Sequence, residues 1–260
     1  RAAGESVRYN LISNTIESYI DNAAVVTQGA ATDIVVAATS TATLVAIALG
    51  IAVAGGNFAL GGSLTVNSIA NTIRSYIRNS VEVRSVRDIR VLAADRATLV
   101  AIAGGVGVSM GQTAVGAAIA YNYIGGGFDP ANPDQVHRDA GDDSHLAAYI
   151  ENSAVTAGGK IEVRAGYESA AGPLPTSIGV GDASFTIPSD PTVEDGSPAV
   201  PLEGRIVSVT VGGAAAPQTA IGGSISINII RHRIEARISG ARPVTATGSV
   251  VVSASSDAKG

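Results

Sequence analysis

The chain has no cysteine, no tryptophan and a single methionine, and aromatic residues fill only 4% of its 260 positions. Without cysteine there is no disulfide framework, no thiolate metal site and no cysteine nucleophile. So thin an aromatic content excludes a core of large interlocking rings. Gly, Ala and Val dominate instead, and small or β-branched residues suit narrow, closely stacked strands. Charged residues make up 15% of the chain, with a net charge of −5 spread along its length. That distribution offers no basic face, and no nucleic-acid partner is expected. Long hydrophobic runs are missing too. The longest, Leu44 to Ala54 (LVAIALGIAVA), falls well short of the roughly 20 residues a bilayer-spanning helix needs, and its copy at Leu99 to Val108 is shorter still. No membrane span is expected in this segment.

What the chain does have is one phrase repeated four times. Gly61 to Asn79 reads GGSLTVNSIANTIRSYIRN; upstream, Gly4 to Asn22 reads GESVRYNLISNTIESYIDN. Downstream the phrase is split between Gly116 to Ile124 (GAAIAYNYI) and Leu146 to Asn152 (LAAYIEN), and it returns at Gly222 to Gly240 as GGSISINIIRHRIEARISG. Such repetition marks an array whose neighbouring units share one continuous core, so residues 1–260 count as a single domain. The chain opens on Arg1 inside one repeat and closes inside another, and it is expected to be a segment of a longer array.

The spacing predicts an all-β parallel solenoid. Asn10 and Asn67 lie 57 positions apart, and Asn67 and Asn122 lie 55 apart. Divided by three, for the three strand-like pieces SLTVNSI, VEVRSVRDIRVLA and ATLVAIAGGVGVSM, this predicts coils of about 18–20 residues. Alternation predicts an inward row of Val7, Leu64, Ile119 and Ile225, followed by Tyr9, Val66, Tyr121 and Ile227, with Ser6, Ser63, Ala118 and Ser224 outward. On that assignment Ile119→Asp should open the stack. Ile12, Ile69, Ile124 and Ile230 supply a further apolar position. A helix over NTIRSYIRN competes, because Ile73, Tyr76 and Ile77 have helical spacing, but β-branched content and strand-like neighbours favour a strand.

Asn10, Asn67, Asn122 and Asn228 hold one position in all four copies. They read as corner residues that satisfy backbone groups, and coils of 18–20 residues would keep them about 14 Å apart, too far for a continuous ladder. Tyr19, Tyr76 and Tyr149 read as core or corner fillers, with Arg237 breaking the series. Gly104, Gly105 and Gly107 imitate part of a dinucleotide fingerprint but lack its strand-to-helix context, so they read as turns or tight packing. Arg84, Arg87 and Arg90, balanced by Glu82 and Asp88, read as an outward mixed-charge face.

The third unit carries two insertions, at about 125–145 and 166–204, expected to leave the stack as loops. In the first, Asp129, Asp134, Asp139, Asp142 and Asp143 with His137 and His145 offer oxygen and nitrogen ligands. Their spacing matches no EF-hand or calcium-repeat pattern, and a solvated acidic loop is the plainer reading. In the second, Asp182, Asp190, Glu194 and Asp195 offer carboxylates, yet no spacing selects an acid/base pair. No GxSxG elbow is present. No catalytic, cofactor-binding or metal residue is therefore assigned.

The phrase GGSLTVNSIANTIRSYIRNSVEV with the following ATLVAIAGGVGV resembles the repeats of large bacterial exoproteins of the filamentous-haemagglutinin-like and leukotoxin-family filamentous-adhesin kind. Those repeats combine a SVAVN-like strand, an NxxxAYI segment and a GDVTVxA strand. The counterparts here are Ser63 to Asn67, Ala147 to Ala165 and Gly248 to Ala258. The resemblance implies a right-handed parallel β-helix in a secreted or surface-displayed bacterial fibrous protein, and it carries over no catalytic residue. Three roles follow as expectations. The first is a non-enzymatic rod segment whose partners are neighbouring repeats and other copies in a fibre. The second is a module whose insertions bind a glycan or protein receptor, since loops on a rigid scaffold commonly carry recognition. The third, by fold analogy alone, is an enzyme acting on polysaccharide.

Overall fold

The computed structural model describes residues 1–29, 32–125, 144–167, 177–180, 183–186 and 206–256. Within them the chain is a parallel β-solenoid. Its first coil runs through β1 (Ala2–Ile12), β2 (Thr15–Asp21), β3 (Ala24–Val26), β4 (Ile34–Ser40) and β5 (Thr43–Ala54). The second repeats this as β6 (Phe58–Ile69), β7 (Thr72–Arg78), β8 (Glu82–Ser85), β9 (Ile89–Asp95) and β10 (Thr98–Ser109). In the third, β11 (Thr113–Ile124), β12 (Ser144–Glu151), β13 (Val155–Ala157) and β14 (Ile161–Tyr167) precede a two-stranded antiparallel hairpin, β15 (Ser177–Val180) and β16 (Ala183–Thr186), and then β17 (Ile206–Ala215). The last coil comprises β18 (Thr219–Ile230), β19 (His232–Ser239), β20 (Val244–Ala246) and β21 (Val250–Ser256).

Each strand pairs in parallel with its equivalent one unit away, giving the orders β1-β6-β11-β18, β2-β7-β12-β19, β3-β8-β13-β20, β4-β9-β14-β21 and β5-β10-β17. Asn10 sits opposite Asn67, and Asn67 opposite Asn122. The coil is thus the whole unit, 57 or 55 residues with five strands, and the expected coil of 18–20 residues is corrected. Three pieces became five because NTIRSYIRN is a strand, β7, and because VEVRSVRDIRVLA breaks at a corner into β8 and β9.

Two regions share this coil. In the body, the β2, β3 and β4 stacks enclose a core of bulky side chains including Ile77, Val83, Ile89, Val91, Ile150 and Val163. Left-handed asparagines, Asn22, Asn79 and Asn152, each turn the chain just after the second strand, and Gly240 takes that place in the last coil. In the fin, the β1 and β5 stacks lie face to face, and each of β5, β10 and β17 reverses into the next strand at a common tip. A Cβ added at Gly50, Gly105 or Gly212 would fall well inside contact distance of the carbonyl oxygen of Gly62, Ala117 or Gly223. Backbone meets backbone there, and only glycine fits these positions. Gly105 and Gly107 are accordingly positions of tight packing within a strand and not turns.

The fin also corrects the predicted inward face. Ala59, Ala114 and Ala118 are buried between its sheets with Gly61 and Ser63, while Val7, 71% exposed, and Ile119, 36% exposed, point out. Small residues win the interior because the sheets approach too closely for Leu or Ile, so the expected effect of Ile119→Asp on the stack is withdrawn. The insertion bounds move as well. Ser144 and His145 belong to β12, and Gly166 and Tyr167 belong to β14, so the two insertions lie between Gly125 and Ser144 and between Tyr167 and Ile206.

Candidate functional site

Stacking equivalent strands about 4.8 Å apart turns each repeat position into a column running along the solenoid axis. On the outer face of the β2-β7-β12-β19 sheet one column is Tyr19, Tyr76, Tyr149 and Arg237. The rings of Tyr19 and Tyr76 stack at 5.2 Å and 9°, and those of Tyr76 and Tyr149 at 4.9 Å and 3°. Arg237 continues the pile, its guanidinium carbon 4.8 Å from the Tyr149 centroid, so the residue that interrupts the sequence pattern completes the physical one. The tyrosines are therefore an outward ladder and not core fillers. Because Tyr76 is sandwiched between two rings, only its edge and hydroxyl can meet a ligand.

Charges of opposite sign flank the ladder. Arg74 pairs with Glu17 at 3.2 Å, Arg78 with Asp21 at 2.5 Å, and Arg237 with both Glu151 at 2.7 Å and Glu235 at 3.0 Å. The hydrogen bond from Arg78 holds the Asp21 carboxyl below the usual carboxylate range. Ala147 stands in the column of Glu17, Arg74 and Glu235, and its small side chain leaves a recess of about 250 Å³ bordered by Arg74, His145, Tyr149, Glu235 and Arg237. Burial, then the nearby Arg74 and Arg233, lower the pKa of His145, which leaves it neutral near pH 7. Its Nε2 lies 3.8 Å from a Glu235 oxygen and makes no hydrogen bond. The recess presents donors and acceptors of both signs, suited to a polar ligand held by hydrogen bonds. Among the described residues no three His, Asp or Glu side chains converge to hold a metal ion.

Inside the coil, polar columns replace corners. Asn10, Asn67, Asn122 and Asn228 form the continuous ladder that the shorter coil would have forbidden, with side-chain amide bonds of 2.8, 2.9 and 2.8 Å. Asn67 also donates to Thr65 at 3.1 Å. At the neck between body and fin, Asn71 donates to Ser40 at 3.1 Å and to Asp95 at 3.3 Å. Asp95 is 2% exposed, and burial raises its pKa to about 6. Higher in the same column Tyr167 donates to the Ala97 carbonyl at 2.7 Å and packs on His232, ring centroids 3.9 Å apart. Burial lowers His232 to about 4. Neither Asp95 nor His232 repeats in the other units, so the repeat pattern held no signal for them.

The remaining expectations divide by place. Arg90 pairs with Asp88 at 3.0 Å, and Arg87 approaches Asp33 at 3.7 Å, which is the mixed-charge face expected of that cluster. Bonds from the Lys160 amide and then Arg90 hold Asp88 below the usual carboxylate range. His145 is a strand residue of the recess. Asp129, Asp134, His137, Asp139, Asp142, Asp143, Asp182, Asp190, Glu194 and Asp195 all lie outside the described residues. No described helix is long and apolar enough to cross a membrane. No family model, curated protein or solved structure matches the chain.

Proposed function

We propose that the chain is a structural segment of a longer, secreted or surface-displayed fibrous protein, in which each coil serves as the template for the next. The asparagine ladder carries this reading. The amides of Asn67 and Asn122, buried in the inner coils, each donate to the coil on one side and accept from the coil on the other, so the row extends as long as coils continue to stack. In-register parallel pairing in every sheet of body and fin works in the same direction. The coil size sets the shape of the result: one turn takes 55–57 residues and advances the axis by about 4.8 Å, which makes a broad blade and not a slender thread. Imaging of tandem arrays of increasing length tests this. Particle length should grow by about 5 Å per added coil at constant width; particles that broaden in all directions would contradict it.

The recess beside Ala147 favours a second reading, that the tyrosine face recognises a polar ligand such as a surface glycan. Ala147→Arg should then abolish retention on immobilised glycans while the chain still unfolds cooperatively; retention unchanged by the filled recess would remove this reading.

A further inference from the structure

The fin has its large apolar side chains on the outside. Residues 34–73, 97–125 and 206–230 contain no Asp, Glu, Lys or Arg, and these windows contain the three fin hairpins β5–β6, β10–β11 and β17–β18. On one outer face stand Ile51, 62% exposed, and Val53, 61% exposed, with Val106, Val108 and Val211 beside them. The other face carries Leu60, Leu64, Ile119, Ile221 and Ile225. The tip turns are uncharged too, and Met110, 73% exposed, is at their apex. An exposed apolar surface of this extent marks an interaction site.

The distribution identifies the occupant. A second copy would cover one sheet, whereas here the three hairpins lack charge on both faces and at the tip, as for a blade surrounded by its partner on three sides; among the described residues the fin's charges are confined to Arg1, Glu5 and Arg8 at the edge strand β1. Side chains are also graded from tip to neck: Met110 and Phe58 at the apex, then Val, Leu and Ile, then Tyr9 and Tyr121, then Arg231 and Arg233 past the last fin strand. Aliphatic, then tyrosine, then arginine is the order in which hydrocarbon, interface and water are met on crossing into a bilayer. From Thr113 to Tyr121 the strand runs about 26 Å, against about 30 Å of hydrocarbon in a bilayer. The backbone satisfies the remaining demand of such a medium. Strands β6, β10 and β11 are paired on both sides, and even the turns bond coil to coil, Met110 to Ala54 and Thr113 to Asn57. Glu5, outward on β1, is the one acidic residue on these fin strands and sits in the edge coil.

We infer that the fin is a lipid-insertion blade, whose tip and apolar faces enter the acyl layer of a membrane while the charged body stays in water.

The absence of tryptophan allows a clean test. Met110→Trp and Val53→Trp report the fin, and Thr156→Trp, on the exposed outer side of β13, reports the body. Mixed with neutral phosphatidylcholine vesicles carrying acyl-chain bromines, the two fin tryptophans should shift to the blue and be quenched, and the body tryptophan should do neither. Val53→Glu, or Met110→Glu if the first fails to fold, should lower vesicle partitioning on the order of tenfold or more. Fin tryptophans unaffected by vesicles would overturn the proposal. So would a blue shift that needs no vesicles and grows with protein concentration, the signature of a second copy on the fin.

Discussion

Body and fin are made from the same strands of the same coils, yet they pack by opposite rules. In the body, Ile, Val and Leu point in and Arg, Glu and Tyr point out. In the fin, Gly, Ala and Ser point in, and Val, Leu and Ile point out. Strand alternation is present in both and cannot distinguish them. The distance between facing sheets decides: sheets about 10 Å apart need bulky side chains between them, whereas backbones in contact admit none. Apolarity marks the interior of the body and the surface of the fin.

The sharpest way to break this contrast is to put volume into the fin. A side chain at Gly116 meets the carbonyl of Gly213, which is backbone and cannot yield. Gly116→Val should therefore cost more than about 4 kcal/mol, or prevent folding, in denaturant unfolding. Gly62, with nothing near its missing Cβ, should accept Ala within about 0.5 kcal/mol. Removing volume should show the reverse bias. Ile150→Ala in the body should cost about 2–5 kcal/mol, while Ile119→Ala on the fin surface should cost under about 1 kcal/mol; comparable losses at both sites would show that the fin surface is part of a core.

The neck between the two regions should respond to pH. Burial raises the folded pKa of Asp95 to about 6, well above the ordinary range of an aspartate, so the folded state holds the proton more tightly. Its stability is full at low pH, where the group is protonated in both states, and falls as pH rises through 6, by about 3 kcal/mol in all. His232 acts in the other sense: neutral in the fold down to about 4, it lowers stability as pH falls below 6.5. Asp95→Asn should remove the loss between pH 4 and 7 and leave the acid limb. An unchanged profile would show that Asp95 does not titrate in that range.

A smaller effect is expected where the regions share the asparagine ladder. Asn67→Ala leaves the Asn10 donor and the Asn122 acceptor without their partner, and should cost about 1–3 kcal/mol by chemical denaturation; a cost near zero would remove the ladder as a template.

Much of this was legible in the sequence, for a physical reason. In-register stacking needs equivalent residues at equivalent positions, so the repeats that align as text also align as columns, and the parallel solenoid followed. Coil length did not, because a 57-residue period divides as readily into three turns as into one. The strand TIRSYIR was legible despite the helical spacing of Ile73, Tyr76 and Ile77, because its β-branched content and strand-like neighbours outweigh that spacing. The inward face was misread because Val7 and Ile119 outweigh Ser63 and Gly61 in apolarity, and nothing local announces how close two sheets will come. Of the candidate site, the tyrosine column was visible as a series, but Arg237 looked like its end because a cation and a phenol share no letter while sharing a stacking geometry. Asp95 and His232 occur once each and left no pattern to find.

Ladder, neck and fin all require one coil per repeat, and the absence of cysteine makes a direct measurement simple. In a chain carrying Glu17→Cys and Arg74→Cys, the two thiols occupy neighbouring rungs, opposite each other in register despite 57 residues between them. Rapid, near-complete intramolecular disulfide formation is predicted under mild oxidation of the folded chain. If each repeat instead held three coils, the same residues would stand about 14 Å apart, beyond disulfide reach, and would stay reduced.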